Sequence, residues 1–430
     1  MWGKVVGYHI TSLEEDFMQY LMRLVVMLAA SWVAHTVGGQ FAAAEPATAG
    51  DVQLAKTRLD ALGKSAKYRL EDDGKFTEIS VEDGADLTAD DVAILGRLTE
   101  LKKLRILNCR VLDDAMVGRL AGLRKLDTLA LTNSAITDAG VQAIVQSFPD
   151  LVELDLSSNT NMTGAALKMI AGLAKLERLT LLQNRFNDLH TRRLSKMPQL
   201  RTLDLRGNME AGDMTLAVVG KLPQLTGLKH RSTAVTDLGL TDLAASPSLE
   251  SLLMQDFAIT NAAGPQLARL PKLSSLEIFR CQGFGSEGIL ALAGMPLTRL
   301  TLRDLPDAGD PALAVLDSLP HLKRLYLHEL ASLGDEGLHH LASPQNLEVL
   351  DIWSLPRMTD ATVRVIADLP NLKELSIRET AVTDASAAVI AAMPKLESLT
   401  FKDNGPLAAE NAAKLTGRRW KKLDLGGAQK

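Results

Sequence analysis

Residues Leu126 to Phe148, LDTLALTNSAITDAGVQAIVQSF, open with Leu-x-x-Leu-x-Leu. Two further residues, a small polar residue, Ile-Thr-Asp and an apolar run of helical spacing follow. Leu129 and Leu131 are two apart, so they point to one face of a strand while Ala130 points to the other. Thr137 offers a hydroxyl to the first turn of a helix, and Asp138 complements the dipole of that turn. One strand with one helical segment cannot bury its apolar side alone. It requires neighbours of the same kind.

The neighbours are present. Heads of the same form begin at Phe76, Leu101, Leu126, Leu151, Leu176, Leu200, Leu225, Leu249, Leu273, Leu297, Leu322, Leu347, Leu372, Leu396 and Trp420, always 24 or 25 residues apart. Self-similarity at this period is the mark of a solenoid in which each repeat contacts only the next. Thr236-Asp237, Thr359-Asp360 and Thr383-Asp384 repeat the helix start, and Thr88, Thr163, Thr260 and Ser286 are expected in matching places. Met197-Pro198, Leu222-Pro223, Ser246-Pro247, Leu319-Pro320 and Leu369-Pro370 stop the helices. Eight residues after nine of the heads lies a column of small polar or cysteine side chains: Cys109, Ser134, Asn159, Asn184, Asn208, Thr233, Cys281, Thr380 and Asn404. Such side chains satisfy backbone groups in turns.

With Asn, Cys or Thr in that column and helix starts such as Ile136-Thr137-Asp138-Ala139-Gly140-Val141 and Val235-Thr236-Asp237-Leu238-Gly239-Leu240, the unit resembles the cysteine-containing leucine-rich repeat. The resemblance implies an α/β fold, a curved leucine-rich-repeat solenoid with a parallel β-sheet on the concave face and helices on the convex face, used mostly for protein–protein recognition. The repeat type is shared with F-box adaptors, but residues 1–75 carry nothing resembling an F-box, and bacterial exported leucine-rich-repeat proteins are similar in layout. The fold hosts many functions and does not name a ligand.

The expected organisation is a signal peptide over 1–44, an N-terminal cap over 45–75, a solenoid of about 14 repeats over 76–425 and a tail over 426–430. Leu24 to Val37 is mostly apolar and Ala42-Ala43-Ala44 offers a small-residue cleavage site, which points to export to the periplasm, the cell surface or the medium. Glu14, Glu15 and Asp16 fit no signal start, so Met18 or Met22 is an alternative first residue. The run is shorter than a membrane span and broken by His35 and Gly38-Gly39, so no stable membrane insertion is expected after cleavage. In the cap, Val52 to Gly63 reads as a helix, and Ala66–Leu70 with Phe76–Val81 reads as a hairpin turning at Asp72-Asp73-Gly74.

The formal net charge of −5 predicts no attraction to nucleic acid. Cys109 and Cys281 lie seven repeats apart. At strand spacing that is about 30 Å, far beyond disulfide reach, so two free thiols are expected.

Outward positions of successive strands form columns, and ligands are sought there. The column six residues after each head runs Leu107, Thr132, Ser157, Leu182, Arg206, Arg231, Gln255, Phe279, Arg303, His328, Trp353, Arg378, Lys402. Phe279, Arg303, His328, Trp353 and Arg378 fall on consecutive strands spanning about 19 Å, with Tyr326 on the same face. Aromatics and arginine dominate interface hot spots because they bury large area while keeping a polar handle. This patch is the candidate ligand-binding site. The plainer alternative is a row of side chains that stabilise the sheet by packing across strands. Arg206, Lys229 and Arg231 form a secondary basic cluster that reads as solvated surface, and His230, at an inward position, reads as a core histidine or a local register shift.

Gly283-Phe284-Gly285-Ser286-Glu287-Gly288 matches the spacing of a dinucleotide loop, but it aligns with the turn of every other repeat, so periodicity accounts for it. Asn161-Met162-Thr163 forms a glycosylation sequon and reads as a turn into an N-cap. No nucleophile elbow, zinc-binding helix or phosphate loop occurs. The sequence therefore predicts no enzyme and no cofactor or metal. It predicts a monomeric, exported scaffold for a protein partner, with an intracellular F-box-like adaptor or a cell-surface carbohydrate-binding module as alternatives.

Overall fold

The computed structural model describes residues 47–426. The expected signal segment and the tail beyond Gly426 lie outside these residues. Helix α1 (Ala49–Ala61) opens the described chain, held by a capping box in which Thr48 and Asp51 bond reciprocally. A hairpin follows, β1 (Ala66–Leu70) antiparallel to β2 (Phe76–Val81), with a register shift beside Leu70. The sheet then continues through β3 (Lys103–Ile106), β4 (Thr128–Leu131), β5 (Glu153–Asp155), β6 (Arg178–Thr180), β7 (Thr202–Asp204), β8 (Gly227–Arg231) and β9 (Ser251–Gln255). It ends with β10 (Ser275–Phe279), β11 (Arg299–Arg303), β12 (Arg324–His328), β13 (Val349–Leu355), β14 (Glu374–Thr380), β15 (Ser398–Lys402) and β16 (Lys422–Asp424). All 16 strands form one sheet in sequence order, parallel from β2 onward. From β2 onward a helical segment links each strand to the next, giving the α/β solenoid that the repeat predicts.

The last two head leucines of each repeat stack into one continuous core. Leu104, Leu129, Leu154, Leu179, Leu203, Leu228, Leu252 and Leu276 are all buried, and Ala55 and Leu59 of α1 join the same core. Arg58 grips Asp91 through two hydrogen bonds of 2.6 and 2.8 Å, tying α1 to the first repeat. That guanidinium outweighs burial and draws the Asp91 carboxyl down to about 2. Cys109 and Cys281 are buried free thiols, and burial pushes the Cys281 thiol up to about 12.

Two sequence expectations shift by one place. In the repeat headed by Leu225 the buried polar residue is Ser232, while Thr233 is exposed. Ser232 Oγ donates to the Met209 carbonyl at 2.8 Å and accepts from Ala234 N at 3.0 Å, the role that Thr380 has elsewhere. The cause lies beside it. His230 is fully buried, with Nε2 2.7 Å from the Ala211 carbonyl and Nδ1 3.4 Å from that of Leu205. Burial lowers its pKa, so it is a neutral core histidine donating from Nε2. Ser286 also moves. Gly285 occupies the N-cap position and Ser286 is the first helical residue, the place held by aspartate in most repeats.

That aspartate does more than face a dipole. Asp114, Asp138, Asp213, Asp237, Asp335 and Asp360 each accept hydrogen bonds from both the backbone N–H and the hydroxyl of the threonine one repeat later. That threonine is the helix N-cap except at Thr260, which the sequence pattern also places there: its helix starts at Ala263 after Ala262, and the Thr260 hydroxyl accepts from Ala262 N in the turn before it. Asp188 and Asp384 bond the following turn in the same way through Thr215 and Asn411. Between them the links weaken. Asn261 and Ser286 supply neutral oxygens to Gly285 N and Gly309 N, and Asp310 accepts only from Gly334 N. Where a glycine stands two residues after the aspartate of Thr-Asp, as at Gly140 and Gly239, it makes room for this link: a Cβ on Gly239 would lie 2.5 Å from Asp213 Oδ1, whereas Thr362 and Ser386 at that place donate their hydroxyls to Asp335 and Asp360.

Candidate partner-binding face

Register alone brings the sequence-predicted patch together. Phe279 pairs with Arg303, Arg303 with His328, His328 with Trp353 and Trp353 with Arg378, while Tyr326 pairs with Thr301 and Asp351 one position in. All six residues are partly exposed on the open face of the sheet. They form a continuous row across β10 to β14.

Each member is held by its neighbours. The Arg303 guanidinium lies 4.3 Å from the Phe279 ring and 5.2 Å from the Trp353 ring, and its Nε donates to Glu329 at 2.6 Å. Arg280 covers Phe279 at 4.5 Å, Arg299 covers Tyr326 at 4.8 Å and Arg378 faces Trp353 at 5.5 Å. His328 sits edge-on to Tyr326 and Trp353, with centroids 6.1 and 5.8 Å away. Cation–π and edge contacts of this kind contribute roughly 0.5–1.5 kcal/mol each. The row therefore stabilises the sheet and also presents a preorganised surface, since its rotamers are set before any ligand arrives.

Asp351 organises the row from beneath. Arg378 donates to it at 3.0 Å, and His328 Nε2 lies 3.6 Å away, beyond hydrogen-bond length. Burial pushes the Asp351 carboxyl up, but His328 and Arg378 overcome it and hold the group below its ordinary range. Two buried polar atoms here lack a hydrogen-bond partner, His328 Nε2 and Thr301 Oγ1. Such atoms are costly in a packed interior and are uncommon.

The secondary cluster does not stand out as free positive charge. Arg206 is chelated by Asp204 at 2.7 Å and Arg231 by Asp256 at 2.5 Å, and of the three Lys229 alone is exposed without a carboxylate partner among the described residues. The sequence reading missed these acids. It also missed Asp351 and Glu329, because it followed one outward column at a time. The column two residues earlier in each strand carries Asp204 and Asp351, and the position just after the outward column carries Asp256 and Glu329. Among the described residues no group of three or more His, Cys, Asp or Glu is placed to hold a metal ion, and no helix is long and apolar enough to cross a membrane.

A model of the leucine rich repeat matches residues 149–209, and a second model of that repeat matches 122–145 and 269–293. The chain is a leucine-rich-repeat protein. Such proteins are generally scaffolds without catalysis. The tubulin-specific chaperone cofactor E-like protein of Homo sapiens is 31% identical over 184 residues, which are 40% of this chain and 42% of that one. The Caenorhabditis elegans protein EEED8.10 is 34% identical over 107 residues, 24% of this chain and 14% of its own. The chain thus spans less than half the length of either curated relative. A chain of the Rad7 and Elc1 complex in yeast has the same fold, with a TM-score of 0.54 at 16% identity, covering 98% of this leucine-rich-repeat chain and 94% of its own.

Proposed function

We propose that this leucine-rich-repeat protein is a non-catalytic, monomeric recognition scaffold that is exported and binds a protein partner on the open face of its sheet. The row Phe279, Arg303, Tyr326, His328, Trp353 and Arg378 is the contact surface, and one observation carries the reading. Six hot-spot side chains adjoin one another across five neighbouring strands with their rotamers already fixed by stacking. Preorganised aromatic and arginine side chains lose little entropy on binding, which favours them as anchors. Export rests on the apolar run Leu24 to Val37 and the alanines at 42–44.

The test is capture of partners by the wild-type protein and by Trp353→Ala, Arg303→Ala and, as a control on the same face, Thr132→Ala. Partners kept by Thr132→Ala and lost by the other two support the row. Equal recovery by all of them removes it. N-terminal sequencing of the cellular protein tests export, which requires a new N-terminus near residue 45.

A second reading, an intracellular adaptor, draws on the 31% identity to the tubulin-specific chaperone cofactor E-like protein. It requires an intact N-terminus in the cytosolic fraction.

A further inference from the structure

Beside the aromatic row the sheet carries a depression of about 540 Å³ over β12 to β16. Its origin is a change in side-chain size. Ser376, Ser398 and Thr400 form a low floor on adjoining strands, while Tyr326 stands at one side and Arg378 and Lys402 at the other. The volume falls in the range of small-molecule and cofactor pockets, well above what one protein side chain needs.

Its electrostatics are unusual for a site with so many charges. Arg378 is bound by Asp351 at 3.0 Å and Lys402 by Asp424 at 2.9 Å, while Glu374 and Lys422 stand two strands apart on the same lining. Three cations and three carboxylates line the groove, so its lining carries no formal net charge. A charged ligand gains no net field here, and at Arg378 or Lys402 it must break an internal pair to gain a local one, which leaves the abandoned partner uncompensated. A neutral ligand leaves the pairs intact. Hydrogen-bonding capacity remains in abundance: an arginine carries five donors, a lysine three, and each carboxylate about four lone-pair sites. Among the described residues the Ser398 and Thr400 hydroxyls find no hydrogen-bond partner, and their floor is too polar for an apolar ligand. Fixed donors and acceptors on several sides, with the Tyr326 ring held in place by Arg299, fit a ligand with alternating hydroxyl edges and C–H faces.

We propose that this groove is a binding site for a neutral oligosaccharide. The site shares Tyr326 and Arg378 with the protein-binding row but does not depend on that reading, because its floor and its second ion pair lie outside the row. Salt should affect this binding little, since no counterion is displaced and no net charge is screened.

The test is isothermal titration of the full chain with a panel of hexasaccharides of matched length. The neutral members are the cello-, malto-, xylo- and N-acetylchito- series. Hexagalacturonate supplies the anionic probe and deacetylated chitohexaose the cationic one. At least one neutral member should bind with Kd on the order of 1 mM or tighter, unchanged by added salt. Thr400→Trp, which fills the floor, should abolish it, and Lys402→Met should weaken it several-fold. Phe279→Ala, at the far end of the row, should leave it unchanged. Circular dichroism checks that Thr400→Trp is folded, and Ser398→Phe takes its place if it is not. The proposal is overturned if no neutral member binds, if only a charged probe binds, or if binding persists in a folded protein with a filled floor. Loss of partner capture in Trp353→Ala with unchanged sugar binding would separate the two sites.

Discussion

Removing Asp335 should loosen two repeats at once. Its carboxylate accepts from Thr359 N at 2.9 Å, from the Thr359 hydroxyl at 2.5 Å and from the Thr362 hydroxyl at 2.5 Å. Thr359 is exposed and regains water when the carboxylate is lost, so its two bonds contribute little more than the typical net value of about 1 kcal/mol together. Thr362 is 1% exposed, and its stranded hydroxyl costs roughly 1–3 kcal/mol. Asp335→Ala should therefore cost about 2–4 kcal/mol in urea unfolding followed by circular dichroism. Asp335→Asn keeps an acceptor for Thr362 and should cost about half as much. In a Thr362→Val background the hydroxyl is gone, and Asp335→Ala should lose about 1–3 kcal/mol of its effect. Burial raises the Asp335 carboxyl, but Thr359 and Thr362 outweigh it and leave its pKa lowered in the folded chain. A depressed folded pKa gives stability that is present above the unfolded value and lost as pH falls through the folded one. The gap between wild type and Asp335→Ala should therefore narrow as pH falls below about 4, without closing, because the protonated carboxyl keeps an acceptor oxygen. A cost under about 0.5 kcal/mol, an additive cycle or a gap unchanged by acid would refute the link.

Other outcomes follow from the same geometry. Gly239→Ala sets a Cβ 2.5 Å from Asp213 Oδ1 and should cost about 1–3 kcal/mol by thermal unfolding, whereas Gly118→Ala, with open space around it, should be neutral or stabilising. Trp353→Ala removes the ring faced by Arg303 and Arg378 and should cost about 1–2 kcal/mol, small enough that the folded variant can report on partner capture. Asp91→Ala should cost about 2 kcal/mol, matching its pKa of about 2, and should speed amide exchange across α1 before any other segment. Cys281, pushed up to about 12, holds about a thousandfold less thiolate at pH 8 than an ordinary thiol, so alkylation should wait for unfolding.

The solenoid is legible because its message is local and repeated. Leucine spacing sets the strand face and Thr-Asp sets the helix start, so each repeat corroborates the others. The aromatic row is also legible, since parallel register turns a sequence interval into a spatial neighbour: Arg303 and His328 are 25 residues apart and adjacent. What escapes is any bond between different positions of different repeats. Asp335 looks complete as a first-turn acid within its own helix, and only the fold brings Thr359 to it. Asp351 reads as a solvated carboxylate until Arg378 and His328 converge on it. Ser232 and Gly285 escape for a different reason. Where one repeat exchanges a residue between strand and turn, the period survives and the phase inside it changes.

The neutral stretch of the inter-repeat links has a mechanical meaning. A solenoid stretched between its ends transmits the load through every repeat in series, and it yields first at the weakest junction. From Asn261 to Gly309 that junction is held on the helix side by an amide oxygen and a hydroxyl, while carboxylates hold the repeats on either side. Phe279 and Arg303 lie across this stretch on the opposite face, where their stacking acts as a local clamp. A partner seated on the row would bridge the junction from outside, like a splint over a soft joint. Occupancy should then register as a higher rupture force when a single molecule is pulled, with the gain confined to the repeats beneath the ligand.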